Sequence, residues 1–548
     1  MSVLTAIKLY INKMIDNCGK GMKVFLLGKD TLPLVSITYA QSDLLKKEVY
    51  LFERIDNSAR ESMKHMRCIV FLRPTPENIQ HLCAELKNPR YGNYHIFFSN
   101  IIAKPDILKL ANADEHECVK EIQEFYADYI PLLDHVYNLN IKKISSAVST
   151  SWDRSCLKRS ADSLISVLLA LRKYPVMRFS AKSELARNLV NSTYDIMKEH
   201  SHLFEFRRSD TPLLLVLDRR DDPITPLLNQ WTYQAMVHEL LGIENNRVDL
   251  SEVPGISKDM REVIMSPEQD SFFKDSLYSD FGEIGIKIKD LVDKFQKQQH
   301  STAAIESITD MKKFVDNYPQ FKKFSGTVSK HVAIVGELSR IVQDYNLLEV
   351  SETEQQMTTQ ASHSEVQQKI SSLLRNPKVR EMEIIRLVLL YCICYEGQSG
   401  HNPRQFIEAM RNRGISEAKC KLATSIMNYG GKAVRGGQLF GEETKIAMTK
   451  KYFKGLQGVE NIYTQHKPYM IDILQQLQLG RLKETDFPWH GGSPQRIGEI
   501  IVFVVGGITY EEIKSVHEWN ISNPGNKVVL GSTCVHNCRS FLEAVSSH

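Results

Sequence analysis

The sequence predicts an α/β protein with two parallel-sheet domains, the second of which is split in sequence by a long, mainly helical insertion. Two observations support this fold class. Short apolar runs rich in β-forming residues alternate with helix-like segments before residue 140, and the same alternation returns after residue 490. Between about 250 and 490 there is no matching series of buried strands. Strands that alternate with helices are typical of parallel sheets with crossover helices.

The first block predicts an N-terminal α/β domain over residues 1–137. Strands are expected at 22–27 (MKVFLL), 49–55 (VYLFERI), 68–74 (CIVFLRP) and 94–100 (YHIFFSN). Helices are expected between and after them, and the stretch KPDILKLANADEHECVKEIQEFY (104–126) is interpreted as helical.

The second α/β domain is predicted in two pieces, 138–248 and 484–548. A helix with one apolar face runs from Leu157 to Arg172, and PLLLVLD (212–218) is a fully apolar strand. The run EIIVFVVGGITYEEI (499–513) and the strand in NKVVLGST (526–533) restore the strand–helix–strand pattern. An unsplit C-terminal domain is the alternative, but it would leave these last strands few partners.

The insertion, 249–483, contains a predicted helical hairpin at about 304–346. A stripe of apolar residues from Ile305 to Val315 is expected to end near Tyr318-Pro319, and a helix is predicted from 320 to 346. In that helix two series recur every seven residues, which is typical of an apolar seam: Phe321, Val328, Val335 and Val342, and Phe324, His331, Leu338 and Tyr345. The hairpin either docks partner helices or packs only on its own domain. Two polar stretches, 294–303 and 351–366, are predicted to be loops.

Composition argues against several classes of function. The chain has 548 residues with 69 Lys+Arg against 65 Asp+Glu, and this balance is unlike that of a dedicated nucleic-acid binder. Its ten cysteines are scattered without facing CxxC pairs, so we expect a reducing compartment and no metal site. No apolar stretch approaches the roughly 20 residues of a membrane span, and the N-terminal stretch lacks the apolar core of a signal peptide. A cytosolic protein is therefore expected.

The sequence contains none of the common nucleotide-binding or hydrolase motifs, and two turns are the candidates for a catalytic site. The carboxylates of Asp218, Asp221 and Asp222 follow a buried strand, and Gly506–Thr509 lies between a strand and a helix. A nucleotide- or sugar-phosphate-dependent enzyme could use such turns. However, Asp222-Pro223 is also typical of a cap, and Glu511 and Glu512 would repel a phosphate. The sequence therefore predicts structural turns, with no catalytic residues and no cofactor.

Four segments resemble the Sec-one/Munc-eighteen (SM) family of syntaxin partners: 217–243, 317–342, 458–470 and 500–513. The resemblance covers essentially the whole chain and is strongest to the endosomal and trans-Golgi branch. It implies an arch-shaped, non-enzymatic monomer that binds a syntaxin-type SNARE and templates the four-helix SNARE bundle. It further implies transport between the trans-Golgi network and the endosomes or vacuole. Contact with Golgi and endosomal membranes would be peripheral and indirect, through the SNARE.

The resemblance also implies two sites. Ile107, Leu110, Val119 and Glu124 are placed around a pocket for an N-terminal syntaxin peptide, with Glu124 pairing a basic residue of that peptide. The alternative is that the three apolar residues only pack their helices on the sheet. The second site is the SNARE-templating hairpin, where the resemblance makes Tyr318-Pro319 the hinge and Val332 a SNARE contact, beside His331 and Val335 of the seam. A tethering scaffold that binds helices without promoting their assembly is the remaining alternative.

Overall fold

The chain forms two compact units in the computed structural model. The first comprises residues 1–219, 482–508 and 516–535, and the second comprises 220–481, 509–515 and 536–548. The structure describes residues 2–144, 151–206, 211–303, 308–359, 361–436, 439, 463, 465–492 and 497–546, and within these it leaves out the side chains of 298–303, 308–321 and 323. Helices and strands are numbered below in chain order.

A five-stranded parallel sheet opens the first unit. Its strands, in the spatial order β2-β1-β3-β4-β5, are β1 Lys23–Leu27, β2 Val49–Arg54, β3 Met63–Leu72, β4 Tyr91–Phe98 and β5 Val119–Glu124. Its helices are α1 Val3–Asn17, α2 Leu32–Thr38, α3 Gln41–Leu45, α4 Pro76–Lys87 and α5 Lys104–Ala113. Every residue of β1 is buried, as expected for a central strand covered on both faces.

Local sequence sets the ends of these helices. The Ser2 hydroxyl accepts from the Thr5 amide at the start of α1, and the Thr75 hydroxyl accepts from Asn78 N at the start of α4. In α4 the first helical position is Pro76, where a missing N–H costs nothing.

The predicted helix over 104–126 is wrong in its second half. Helix α5 ends at Ala113, and the Asp114 carboxylate then accepts from the amides of Cys118 (2.9 Å) and Val119 (3.0 Å). This turn redirects the chain into the edge strand β5, which pairs in parallel with β4. Val119 and Glu124 therefore lie on a strand, and only Ile107 and Leu110 lie on a helix.

A seven-stranded sheet completes the first unit. Its order is β12-β8-β9-β13-β14-β7-β6, with β6 Ile130–Leu133, β7 Val136–Asn138, β8 Val176–Phe179, β9 Thr211–Asp218, β12 Trp489–His490, β13 Ile497–Val505 and β14 Val528–Ser532. The four central strands β8, β9, β13 and β14 are parallel. Strands from both sides of the insertion thus share one sheet. The strands at 130–138 also belong to it, although the sequence ended its first domain at residue 137.

Three helices accompany this sheet: α6 Arg154–Leu171, α7 Glu184–Glu199 and α19 Tyr510–Ser522. Helix α6 starts at Asp153, whose carboxylate accepts from the amides of Ser155 and Cys156, and it ends at Arg172, which has a positive φ of 58°. The predicted apolar face of α6 is buried as expected.

In its described residues the second unit is mainly helical, with one small antiparallel pair, β10 Arg247–Asp249 and β11 Glu262–Ile264. Its helices are α8 Tyr233–Leu240, α9 Ser271–Ser276, α10 Phe281–Ala303, α11 Ile308–Asp344, α12 Leu347–Thr358, α13 His363–Arg375, α14 Glu381–Cys394, α15 Pro403–Asn412, α16 Glu417–Cys420, α17 Leu422–Gly430, α18 Tyr469–Gln478 and α20 Cys538–Val545. The predicted α/β class, with parallel sheets and a large helical insertion, is confirmed.

Both predicted loops in the insertion are wrong. Residues 294–303 continue α10, and most of 351–366 lies in α12 and α13. Polar residues are buried in α12 because they have partners there: the Glu354 carboxylate accepts from the backbone and side-chain nitrogens of Asn229, each at 2.8 Å. The polar composition of this segment therefore led to the wrong prediction of a loop, although the helix is buried.

The break expected at Tyr318-Pro319 is also absent from the backbone. Helix α11 is 37 residues long and passes through both positions. An interior proline costs a helix about 3 kcal/mol, yet α11 continues through it. The side chains of Tyr318 and Pro319 lie outside the described part, so their role as a hinge stays a prediction.

Candidate functional site

The outer side of α5 presents two exposed apolar side chains. Ile107 is 37% exposed and Leu108 is 64% exposed. The resemblance named Ile107 but missed Leu108, although the apolar pair Ile107-Leu108 was visible in the sequence next to the solvated Lys109.

Beneath them, Leu110 belongs to the core of the first sheet. It is only 1% exposed and is clustered with Ile96, Phe98 and Ala113, while the half-buried Val119 packs against the same cluster. Leu110 and Val119 therefore pack against the sheet, as the alternative interpretation of these residues expected. Any peptide on this surface would meet Ile107 and Leu108 first.

The Glu124 carboxylate is held at the end of β5. Its Oε1 accepts from the Ile102 amide at 2.8 Å, and its Oε2 accepts from the Tyr126 hydroxyl at 3.1 Å. Burial and the adjacent Glu124 charge together raise the pKa of Tyr126. The carboxylate thus ties the end of β5 to the loop before α5.

The predicted seam of α11 faces inward. The side chains of Val328, His331, Val335, Leu338 and Val342 are buried, whereas those of Phe324 and Tyr345 are half-buried. Phe324 contacts Phe295 of α10 with ring centroids 5.9 Å apart. The seam therefore packs α11 within its own unit.

His331 is fully buried within this seam and has a partner on each ring nitrogen. Nδ1 lies 2.7 Å from the Tyr233 hydroxyl of α8, and Nε2 lies 2.9 Å from Oδ2 of Asp270. Asp270 also accepts from Lys330 and from the Phe273 amide at the start of α9. A polar residue in the seam thus joins three helices through satisfied hydrogen bonds.

Burial lowers the pKa of His331, although its bond to Asp270 acts in the opposite direction. Burial would raise the pKa of Asp270, but the hydrogen bonds and charges of His331 and Lys330 bring it below its usual range. A neutral imidazole beside an ionised carboxylate is the arrangement that these directions favour.

The opposite side of α11 is the outer face, defined here by Gly326, Ser329, Val332 and Gly336, all of which are exposed. Val332 is 41% exposed and is the large apolar residue among them. Apart from the chain neighbours of each glycine and the backbone of its own helix, no described heavy atom lies within 4 Å of a Cβ added at Gly326 or Gly336. The outer face therefore offers one apolar side chain flanked by small residues, which permits close approach of another helix.

The carboxylates of the first turn considered for catalysis all accept hydrogen bonds from the protein itself. Asp222 Oδ1 accepts from the amides of Ile224 and Thr225 within the turn. Asp221 Oδ1 accepts from the Gly436 amide, and Asp218 Oδ2 accepts from the Ser183 hydroxyl, so these two carboxylates join the turn to segments distant in sequence.

The glycine turn after β13 is likewise closed. Gly506 and Gly507 have φ of 94° and 102°, which side chains with a Cβ rarely adopt. The Glu512 carboxylate accepts from the Thr509 amide at 2.8 Å, so this amide at the start of α19 already has an acceptor within the protein.

Within the residues that the structure describes, no cluster of three or more His, Cys, Asp or Glu has the arrangement of a metal site. In the same residues no helix is both long and apolar enough to cross a bilayer.

Comparison with known proteins decides the family. Residues 23–544 match the sequence profile of the Sec1 family. The chain belongs to the Sec1 family. The family resemblance inferred from the four sequence segments is thereby confirmed.

Relatives match this chain over nearly their whole length. Vacuolar protein sorting-associated protein 45 of Homo sapiens is 52% identical, with 100% of this chain and 96% of that protein covered. The protein of the same name from Dictyostelium discoideum is 44% identical, over 100% of this chain and 97% of its own.

A solved Sec1-family structure matches the fold at a TM-score of 0.93 and 43% identity, covering 100% of this chain and 99% of the other. It is described as the SM protein Vps45 in complex with the Qa SNARE Tlg2 (1-310).

Proposed function

We propose that this Sec1-family protein binds a syntaxin-type Qa SNARE and promotes assembly of the SNARE bundle. The transport step is the one between the trans-Golgi network and the endosomes or vacuole. Support comes from relatives named for vacuolar protein sorting and from a similar solved protein in complex with a Qa SNARE.

The observation that carries the proposal is the two-sided character of α11. One side of the helix is buried through Val335 and Leu338 and fixed by His331, so the helix is held in place by its own unit. The other side leaves Val332 exposed between Gly336 and Ser329. A helix that is rigid on one side and apolar with small neighbours on the other suits the docking of a partner helix.

For the peptide pocket, we place the first contact at Ile107 and Leu108. Leu110 and Val119 form the floor of this surface because they are anchored in the sheet core. Glu124 supplies the negative charge for a basic residue of the peptide, and its two intramolecular hydrogen bonds orient it. Binding energy would come mainly from the buried apolar anchors of the peptide.

Several further expectations belong to the same proposal. The protein acts as a monomer without catalysis or a cofactor, and it reaches Golgi and endosomal membranes peripherally through its SNARE partner. The division into domains 1–137, 138–248 with 484–548, and 249–483 stays a prediction, except that its first boundary moves ahead of Ile130, because β6 and β7 belong to the seven-stranded sheet. The templating element that was expected as a hairpin at about 304–346 is assigned to the single helix α11. Tyr318-Pro319 remains the proposed hinge.

Two measurements test this proposal. Calorimetric titration with N-terminal peptides of Qa SNAREs should give micromolar or tighter binding for one endosomal or trans-Golgi member. Bundle assembly, followed by fluorescence transfer between labelled SNARE helices, should accelerate when the protein is added. Val332→Glu should remove the acceleration, whereas Ile286→Glu should not, because Ile286 is a matched exposed residue of α10. Binding without acceleration would favour the tethering scaffold.

A further inference from the structure

A cavity of about 270 Å³ lies in the first unit, at the carboxyl ends of the strands of the five-stranded sheet. Lys29 follows β1, Arg73 follows β3 and Ser99 follows β4, and all three line the cavity. Asp128, and Arg159 on α6, also line the cavity. Neither proposed SNARE-binding surface includes any of these residues.

The position of the cavity in the sheet has a physical meaning. The chain runs from β1 outward to β2 on one side, and then returns to β3 on the other side of β1, so the strand order reverses between β1 and β3. In open parallel sheets such a reversal leaves a crevice at the carboxyl ends, because the connections leave in opposite directions. Residues that follow β1 and β3, such as Lys29 and Arg73, are among those that line the cavity.

The charges of the lining favour an anion. Asp128 Oδ2 lies 3.0 Å from Arg159 Nη1 and 3.5 Å from Arg73 Nε, so one carboxylate serves two guanidinium groups. Asp30, which follows Lys29, adds a second carboxylate. Three cations (Lys29, Arg73 and Arg159) against two carboxylates leave a net charge of +1. Lys29 is 64% exposed and lies 3.6 Å from Glu77, which places it on the solvent side.

A second, independent observation is the hydroxyl of Ser99. This side chain lines the cavity and is 1% exposed, and its Oγ has no hydrogen-bond partner in the structure. A buried hydroxyl without a partner is unfavourable, and an anionic oxygen is the strongest acceptor that could meet it.

We propose that this cavity binds a small phosphate-type anion. The ligand is either free phosphate or the phosphate group of a small metabolite. Arg73 and Arg159 supply the charge, and Ser99 donates a hydrogen bond to an anion oxygen. Geometry of this kind, with a planar guanidinium beside a hydroxyl donor, matches the oxygens of a phosphate.

The test is calorimetric titration of the full chain with inorganic phosphate and, separately, with a panel of mononucleotides and sugar phosphates. Saturable binding is expected in one of the two arms, and the arm that binds tighter identifies the source. Ser99→Ala should weaken it several-fold, whereas Ser160→Ala should leave it unchanged. Ser160 is a matched control because its hydroxyl is also buried without a partner, but it does not line the cavity.

A gain of affinity provides a test that misfolding cannot imitate. Asp30→Asn removes a carboxylate from the cavity wall and should tighten anion binding several-fold, since the net charge of the lining rises from +1 to +2. No saturable binding in either arm, or binding that is indifferent to both Ser99→Ala and Asp30→Asn, would overturn the proposal.

Discussion

The Nε2 atom of His331 lies 2.9 Å from Oδ2 of Asp270, so α11 is fixed at His331 by a hydrogen bond between two buried, titratable groups. The same ring meets the Tyr233 hydroxyl on its other side. The helix that presents Val332 to solvent is therefore positioned by the residue immediately before it in sequence.

Acidification should lower the stability of the packing around His331. The pKa of His331 is lowered in the folded protein by burial, so the unfolded chain takes up the proton first and stability falls as the pH drops below about 6.5. Asp270, whose pKa is also lowered, contributes stability that is lost only at much lower pH, as its carboxylate protonates. Melting temperatures between pH 7.5 and 5 should therefore fall more for the wild type than for His331→Gln.

His331→Gln should also lower the free energy of unfolding by about 1–3 kcal/mol at pH 7.5, because it disturbs the hydrogen bonds to Tyr233 and Asp270. The exposed residue His65 provides the control, and His65→Gln should reproduce the wild-type pH profile. An unchanged profile in His331→Gln would mean that the acid sensitivity lies elsewhere.

Gly336→Ala should separate stability from SNARE assembly. An exposed alanine is favoured over glycine within a helix by about 1 kcal/mol, and no atom of the protein obstructs the added Cβ, so the melting temperature should rise. Assembly of the SNARE bundle should slow several-fold, because the methyl group keeps a docked helix at a greater distance. Gly285→Ala in α10 should give the stabilisation alone, and slower assembly in that variant would argue against the outer face of α11.

Changes on α5 should distinguish surface from core. Ile107→Glu and Leu108→Glu should each weaken N-terminal peptide binding at least tenfold while the melting temperature stays near that of the wild type. Leu9→Glu, at an exposed apolar position of α1 in the same unit, is the control for added charge.

Leu110→Ala should instead destabilise the first unit by about 2–5 kcal/mol, because it leaves a cavity in the sheet core. Leu110→Lys would lower the stability further, because it would bury a charge, and it is therefore unsuitable as a probe of peptide binding. Calorimetry together with thermal denaturation checks both expectations, and a Leu110→Ala variant of wild-type stability would contradict the placement of this side chain.

Arg386→Met should destabilise the second unit strongly. The guanidinium is buried in α14 beside the carboxylates of Glu239 and Glu354, which would then be left without their cation. Removing one member of a buried ion pair typically costs about 3–5 kcal/mol. Denaturant unfolding would measure this loss, and Arg404→Met, at an exposed position of α15, should change little.

The sequence was informative where apolar runs were long. The strands at 211–218 and 497–505 follow from continuous apolar runs, and the α6 face and the α11 seam follow from helical periodicity. Strands of three or four residues, such as β6, β7 and β8, are too short for that signal. Strand β5 was missed because VKEIQE lies at a half-buried sheet edge and does not alternate cleanly.

The sequence named the candidate site residues, but it did not show their contacts. The exposure of Val332 agrees with the resemblance, since this residue lies beside the seam. The partners of His331 are 98 and 61 residues away in sequence, and no local pattern indicates them. Likewise, the burial of Glu354 depends on Asn229 and Arg386, so its helix looked like a solvated loop.

The seven-stranded sheet also constrains how the chain can be made. Strand β9 ends at Asp218 and its neighbour β13 begins at Ile497, so about 280 residues are translated before they can pair. At roughly 5–20 residues per second, the fully apolar β9 waits on the order of 15–55 s at the ribosome. During that interval its open edge is a hazard for aggregation, and a chaperone or the newly made helices must shield it. Nascent chains that stop before residue 497 should therefore be insoluble.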